Sequence, residues 1–87
     1  MYCYQAEKSK LFTEDGQVLF MSIRDKTKEL LSKSGAVKMG NAIAGNSGDL
    51  WTMLACVDRM VELGELREIT PHNSCAGQDR VFVSGNA

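Results

Sequence analysis

Residues 46–69 read NSGDLWTMLACVDRMVELGELREI and combine a capped amphipathic helix, a glycine stop and a strand. Ser47 or Asp49 can cap the helix, because a side-chain oxygen at that position accepts a hydrogen bond from the free amides of the first turn. The apolar residues of the helix fall on one broad face: Leu50, Met53, Leu54, Val57, Met60, Val61 and Leu63. Gly64 ends the helix, and a strand is predicted over residues 66–69.

A second strand is predicted shortly afterwards. Pro71 ends the first strand, because proline cannot donate to a strand ladder. Residues 72–77 read HNSCAG, a polar loop composition, and the apolar run Val81–Val83 follows. The two strands therefore predict a C-terminal β-hairpin with a loop at its tip.

The segment before residue 46 predicts two further helices. Thr13 precedes two acidic residues, which suit the first turn of a helix, and a glycine at residue 35 suits its end. The apolar stripe steps by four, four and three residues through Leu19, Ile23, Thr27 and Leu30. Residues 36–43 are predicted as a short second helix. The aromatic start, residues 2–6, predicts a short N-terminal strand or an arm packed on the core.

The composition indicates one small globular domain spanning residues 1–87. Hydrophobic residues make up 44% and charged residues 24% of the chain, which argues against disorder. No apolar run approaches the ~18 residues of a membrane-spanning helix, and the start does not resemble a secretory signal. We therefore expect a soluble, cytoplasmic protein. Three widely spaced cysteines favour reduced thiols over a disulfide framework.

The charge of the chain is divided unequally between its halves. The formal net charge is -1. Residues 1–45 carry seven Lys and Arg against five Asp and Glu, whereas residues 46–87 carry three against six. The third predicted helix and the hairpin therefore form the acidic half, which offers little bulk attraction for nucleic acid.

The run Met53–Ile69 resembles the winged helix-turn-helix superfamily of bacterial DNA-binding domains, in which a recognition helix ends in leucine and glycine before a strand enters the wing. The resemblance implies an α+β, winged-helix-like fold of three helices and a C-terminal β-hairpin. It implies a DNA-binding transcriptional regulator whose third helix enters the major groove and whose wing contacts the backbone. The implied DNA-binding residues are Asn46, Ser47, Thr52, Cys56 and Arg59, with His72, Asn73, Gln78 and Arg80 on or beside the wing.

The acidic residues around Arg59 favour an alternative partner. An exposed helix arginine beside carboxylates is more often part of a surface ion pair than a base contact. Binding of double-stranded DNA would then require a dimer, or a basic surface built from Arg24, Lys28 and Lys38. In the alternative, the same fold is a protein-interaction module whose third helix and wing present Trp51, Met53 or Phe82 and an acidic rim to another protein. For Trp51 itself, the sequence favours core packing over a partner contact. A homodimer fits either hypothesis.

Catalysis, a cofactor and a metal site are not expected. The single histidine, His72, lies in a predicted loop with no nucleophile motif or phosphate-binding loop beside it. His72 and Cys75 could hold two metal ligands, but no spacing brings a second compact pair to them. Cys56, in the middle of a helix, is best interpreted as a small apolar core residue.

Overall fold

The described residues, 2–69 and 79–85 in a computed structural model, form helices packed on one antiparallel sheet, an α+β fold. In chain order the elements are α1 (Tyr4–Glu7), a 3-10 helix (Lys8–Phe12), α2 (Glu14–Ser34), β1 (Ala36–Lys38), α3 (Met39–Ile43), α4 (Leu50–Glu62), β2 (Leu66–Glu68) and β3 (Val81–Ser84). No helix in this described part of the chain is long and apolar enough to cross a membrane.

Helix α2 begins and ends where its sequence predicts. The Thr13 side chain accepts a hydrogen bond from the Gly16 amide at 3.0 Å, and Gly35 ends the helix with φ of 76°. Glycine suits that left-handed position because a Cβ would be strained there. Ile23 and Thr27 are fully buried, which confirms the predicted stripe.

Helix α4 forms the centre of the core. The Asp49 side chain caps it by accepting from the Trp51 amide at 3.3 Å, so the predicted cap at this residue is confirmed. Its own buried residues and those of the other elements form one hydrophobic core. The core consists of Leu11, Ile23, Val37, Met39, Ala42, Ile43, Met53, Leu54, Ala55, Cys56, Val57, Met60, Leu66 and Phe82.

The sheet has the strand order β1-β3-β2, with both pairs antiparallel. The predicted pairing of the two C-terminal strands is confirmed by the register of Leu66 with Ser84. Val37 lies opposite Phe82, and both side chains are buried, because neighbouring side chains in register point to the same face of a sheet. One sheet face therefore covers the helices, and β3 lies between the two edge strands.

Two predictions for the first half of the chain are right only in part. Of the two alternatives for residues 2–6, the arm packed on the core is confirmed, because Tyr2 and Tyr4 pack against it, and the strand is wrong. Tyr4–Glu7 is a short helix and not a strand, because the amides of Ala6 and Glu7 both donate back to the Cys3 carbonyl. The predicted second helix over 36–43 is helical only over Met39–Ile43. Its first residues form β1, because pairing with β3 satisfies their backbone groups and buries Val37.

Residues 2–12, here called the N-terminal arm, cross the start of α2 in very close contact. A Cβ at position 16 would clash with the Lys10 carbonyl oxygen and would lie 2.8 Å from the Leu11 Cα. Gly16 therefore permits the arm backbone to lie directly on the helix. Leu11, at the end of the arm, is 1% exposed and belongs to the core.

Candidate functional site

Helix α4, the candidate recognition helix, is covered on opposite sides. Ala55 and Val57 are two positions apart and so about 200° apart around the helix, yet both are fully buried. Val57 lies on the apolar helix face that the sequence predicts, and this face packs on the core. Ala55 lies on the opposite face. The N-terminal arm covers that opposite face, because its tyrosines reach neighbouring side chains there.

The contacts between the arm and α4 are specific hydrogen bonds. The Tyr2 hydroxyl donates to Asp58 Oδ2 at 2.6 Å, and the Tyr4 hydroxyl donates to Glu62 Oε1 at 2.7 Å. Burial and the hydrogen bond to Asp58 raise the pKa of Tyr2 well above its ordinary value, and burial with the bond to Glu62 raises the pKa of Tyr4 to about 12. Both hydroxyls therefore stay protonated as donors, and the arm is anchored at two successive turns of α4.

Glu62 is the centre of this anchoring. Lys8 Nζ lies 2.8 Å from its carboxylate, and Arg59 Nη1 lies 2.7 Å away. Hydrogen bonds from Lys8, then Tyr4, then Arg59 lower the pKa of Glu62 to about 2 from its ordinary 4.5. One carboxylate therefore accepts from two arm side chains and from one α4 side chain, and it ties the arm to the end of the helix.

The depressed pKa of Glu62 predicts a loss of stability in acid. The folded protein binds the Glu62 proton less tightly than the unfolded chain does, so this contribution is complete above pH 4.5 and is lost as pH falls from 4.5 towards 2. We expect Glu62→Gln to reduce the dependence of the denaturation midpoint on pH in that window, measured by circular dichroism. Asp25→Asn, at an exposed carboxylate without an ion pair among the described residues, is the control. Equal acid dependence in the wild type and Glu62→Gln would contradict this assignment.

The Arg59 side chain is engaged in intramolecular contacts. Besides its ion pair with Glu62, its guanidinium lies 5.3 Å from the centre of the exposed Phe12 ring of the arm. Both contacts orient the side chain along the arm. The hydrogen bond to Glu62 also raises the pKa of Arg59, so its charge is permanent but already compensated. A base contact by Arg59 would have to break these interactions.

The first turn of α4 is the part of this helix that the arm leaves more accessible. Trp51 is 39% exposed, so the core packing that the sequence favoured is wrong, whereas Met53 and Phe82, the other predicted partner contacts, are buried in the core. Thr52 Oγ1 donates to Asp49 Oδ2 at 3.0 Å, and this bond lowers the pKa of Asp49. Asn46 accepts from Ser22 at 2.9 Å. Thr52 therefore lies beside a carboxylate, and the cation nearest to that carboxylate, Lys10 at 3.5 Å, comes from the arm.

Arg80, the described candidate beside the hairpin loop, is also bound internally. Its guanidinium donates to Asp58 Oδ1 and to Glu68 Oε1, each at 2.8 Å, and stacks 5.2 Å from the centre of the Phe82 ring. The hydrogen bond to Glu68 is the largest cause of the raised pKa of Arg80. This residue joins α4 to both C-terminal strands. The other loop candidates, His72, Asn73 and Gln78, lie outside the described residues, as does Cys75.

The three basic residues predicted as a partner surface are separated. Arg24 Nε donates to Glu65 Oε1 at 2.8 Å, and Lys28 Nζ lies 3.9 Å from the same atom. Lys38 lies on β1, on another part of the surface. Two of the three charges are therefore compensated by one carboxylate, and the structure does not bring them together with Lys38 as a single basic patch.

An alternative basic surface lies on the side of the sheet away from the helices. Strand alternation places six residues on this outer sheet face, with the central valines from β3: Ala36, Lys38, Arg67, Ile69, Val81 and Val83. Lys38 and Arg67 are exposed and have neither an ion pair nor a hydrogen bond among the described residues. Arg67 is not among the candidate residues predicted from the sequence, although it follows the apolar Leu66 in a predicted strand, where successive side chains point to opposite faces.

An apolar groove lies where the arm meets the end of α4. Its volume is about 280 Å³, and it is lined by Leu11, Phe12, Gln17, Phe20, Arg59 and Leu63. Phe12 is 57% exposed and Leu63 is 47% exposed.

No protein-family model, curated protein or solved structure matches this chain. Its function is therefore inferred from the chemistry of its own surfaces.

The cysteines give no indication of redox or metal chemistry in the described part of the chain. Cys56 is fully buried, and burial raises its pKa to about 12, so it is held as a neutral thiol. A neutral, inaccessible thiol is a poor nucleophile and a poor ligand. Cys3 is exposed, and no group of three His, Cys, Asp or Glu side chains within residues 2–69 and 79–85 is arranged to hold a metal ion.

Proposed function

We propose that this chain is a small, non-enzymatic, winged-helix-like domain that acts by binding another protein. Three successive helices, α2, α3 and α4, followed by the β2-β3 hairpin, support the winged-helix-like assignment, with α1 and β1 as additions to it. A fold does not determine a function, and winged-helix-like surfaces can serve nucleic-acid or protein partners. The choice of partner therefore depends on what the surfaces offer.

The observation that favours a protein partner over DNA is that α4 is covered on both sides. The helix face opposite the core, which a major-groove reader would present to DNA, is occupied by the N-terminal arm. The only cation on α4 is Arg59, and it is paired with Glu62. Phosphate contacts supply most of the affinity of non-specific DNA binding, and this helix has no uncompensated cation to make them.

Displacement of the arm would not convert α4 into a DNA-binding surface. The arm supplies Lys8 and Lys10, which lie within 3.5 Å of Glu62 and Asp49 respectively. Without the arm, Asp49 would lose Lys10, Glu62 would lose Lys8 and keep only Arg59, and Asp58 would lose its tyrosine donor. The exposed helix would then repel phosphate more strongly.

DNA binding remains the second candidate, and the accessible first turn of α4 favours it. Thr52 lies in that turn and Ser47 lies just before it, and side chains at the start of a recognition helix are those that contact bases. In this candidate function a dimer or the hairpin loop would supply the missing phosphate contacts. The two candidates make opposite predictions for the effect of salt.

A titration with mixed-sequence duplex DNA at low and at moderate salt separates the candidates. We expect no saturable binding at either salt concentration, and no difference between the wild type and Arg59→Ala. A DNA-binding regulator would instead bind at low salt, lose affinity steeply as salt rises, and bind more weakly in the variant. That second result would overturn the proposal.

Site-specific photo-cross-linking in the native cells tests the proposal directly. A photoreactive residue would replace Trp51, Leu63 or Arg67, which lie on three separate exposed surfaces, and Glu29 on the outer side of α2 would serve as the control position. We expect a discrete protein adduct from at least one of the three positions and none from position 29. Adducts to DNA from position 51, or no protein adduct from any of the three, would contradict a protein partner.

A further inference from the structure

The outer sheet face carries the two cations that have neither an ion pair nor a hydrogen bond among residues 2–69 and 79–85. All ten Lys and Arg of the chain fall within the described residues. Seven of them lie within ion-pair distance of a carboxylate, and Lys26 donates to the Ala44 carbonyl oxygen. The two that remain, Lys38 and Arg67, are both on the outer sheet face, so cations available to a partner are concentrated there.

The arrangement of this face is set by the register of the strands. Lys38 is the neighbour of Val81 on one edge strand, and Arg67 is the neighbour of Val83 on the other. The two cations therefore stand at diagonal corners, with the partly exposed valines between them. From ordinary strand spacings, their Cα atoms are about 12 Å apart. A ligand for this face needs two negative groups at about that separation and an apolar centre.

We infer that the outer sheet face binds an acidic amphipathic helix of the partner protein. This inference rests on the proposed function, because it specifies the chemistry of the protein partner. Carboxylates seven positions apart on a helix lie about 10.5 Å apart on one side, which the flexible Lys38 and Arg67 side chains can span. Apolar residues three and four positions after the first carboxylate lie on the same side of the helix and would contact the valines.

A helix fits this face better than an extended segment does. A helix satisfies its own backbone hydrogen bonds, whereas a strand laid flat across a sheet face would leave backbone groups without partners. The apolar centre and the small number of cations also favour a protein over DNA, which requires several phosphate contacts. A second copy of the chain is disfavoured, because a two-fold interface would bring the same two cations against each other.

The test uses the whole chain and a synthetic helical peptide with glutamates seven positions apart and leucines at the third and fourth positions between them. Amide NMR spectra during titration would show where the peptide binds and how tightly. We expect shift changes concentrated at residues 36–38, 66–69 and 81–83. We also expect Lys38→Ala/Arg67→Ala to weaken binding by about tenfold, since rim charges contribute modestly each. A peptide of the same composition in scrambled order should bind more weakly.

The matched control is Lys26→Ala/Lys33→Ala, which removes the same charge from α2, and it should bind the peptide within about twofold of the wild type. Equal weakening in both double variants would reduce the effect to net charge and overturn the inference. So would shift changes centred on Phe12 and Leu63, equal binding of the scrambled peptide, no binding at millimolar concentration, or salt-sensitive DNA binding lost in Lys38→Ala/Arg67→Ala. Failure here, together with a protein adduct from position 51 or 63 in the cross-linking experiment, would reject this face but retain a protein partner.

Discussion

Gly16→Ala will separate the N-terminal arm from the rest of the fold and destabilise the domain by about 2–3 kcal/mol. Alanine is the better helix former by about 1 kcal/mol, so an ordinary position in a helix would gain stability from this change. At residue 16 the new methyl group would clash with the Lys10 carbonyl oxygen and crowd the Leu11 backbone. These are backbone atoms, which cannot rotate away as a side chain can.

The consequences of Gly16→Ala should extend beyond stability. Leu11 would be withdrawn from the core, and the hydroxyls of Tyr2 and Tyr4 would lose their acceptors on α4. Urea denaturation gives the free energy, and faster amide hydrogen exchange at residues 53–62 would show that α4 has lost its cover. Ser32→Ala, at an exposed position of the same helix, is the control and should be neutral or slightly stabilising. A stabilised Gly16→Ala protein with unchanged exchange would show that the arm backbone does not press on α2.

The predictions that depend on local chemistry are those that the structure confirms. The Thr13 and Asp49 caps, the Gly35 stop and the pairing of the two C-terminal strands each follow from a few neighbouring residues. Capping oxygens and glycine act within one helical turn, and a hairpin joins strands that are close along the chain. The sequence can therefore specify them without knowledge of the remaining fold.

The elements that were wrongly predicted depend on partners far along the chain. β1 is a strand because it pairs with β3, more than forty residues later, and residues 36–38 alone do not indicate this partner. The arm is similar, since Tyr2 reaches Asp58 and Tyr4 reaches Glu62. The aromatic residues that suggested a strand are used for hydrogen bonds and packing on α4. Tertiary contacts override local propensity in both cases.

In the candidate site too, the sequence shows which residue types are present but does not show which of them contact each other. The sequence correctly indicated that acidic neighbours surround Arg59, but it could not indicate that Glu62 also holds Tyr4 and Lys8 from the arm. It also grouped Lys38 with Arg24 and Lys28, because charge along a sequence does not reveal which cations are paired. The register of β1 and β2 with β3 separates Lys38 from them and sets Arg67 diagonally across the same face. Availability of a charge to a partner is a property of the folded surface.

Arg80→Ala will destabilise the domain by about 2 kcal/mol, because it removes the cation that joins α4, β2 and β3. Arg80 makes two hydrogen bonds to Asp58, of 2.8 and 3.3 Å, and two to Glu68, of 2.8 and 3.0 Å. The Asp58 side chain is only 13% exposed. In the variant it would keep Tyr2 as a donor but would lose its positive partner, and an unpaired carboxylate that is poorly hydrated is costly.

Arg67→Ala is the matched control for this substitution, because it removes an arginine from the same sheet at a position with no described partner. Urea denaturation should place Arg67→Ala within about 0.5 kcal/mol of the wild type. Arg80→Lys should fall between the two, since lysine keeps the charge but cannot bind two carboxylates in the same planar geometry. In a double-mutant cycle, Asp58→Ala should reduce the cost of Arg80→Ala, because the substitutions remove one shared interaction.

An Arg80→Ala protein as stable as Arg67→Ala would contradict the structural role of this arginine. Combined with a loss of salt-sensitive DNA binding, that result would support Arg80 as a phosphate contact beside the wing, as the sequence resemblance implies. A destabilised Arg80→Ala protein without any DNA binding in the wild type would instead show that this arginine serves the fold. The two arginines of the sheet then have separate roles, with Arg80 holding the strands to α4 and Arg67 available to a partner.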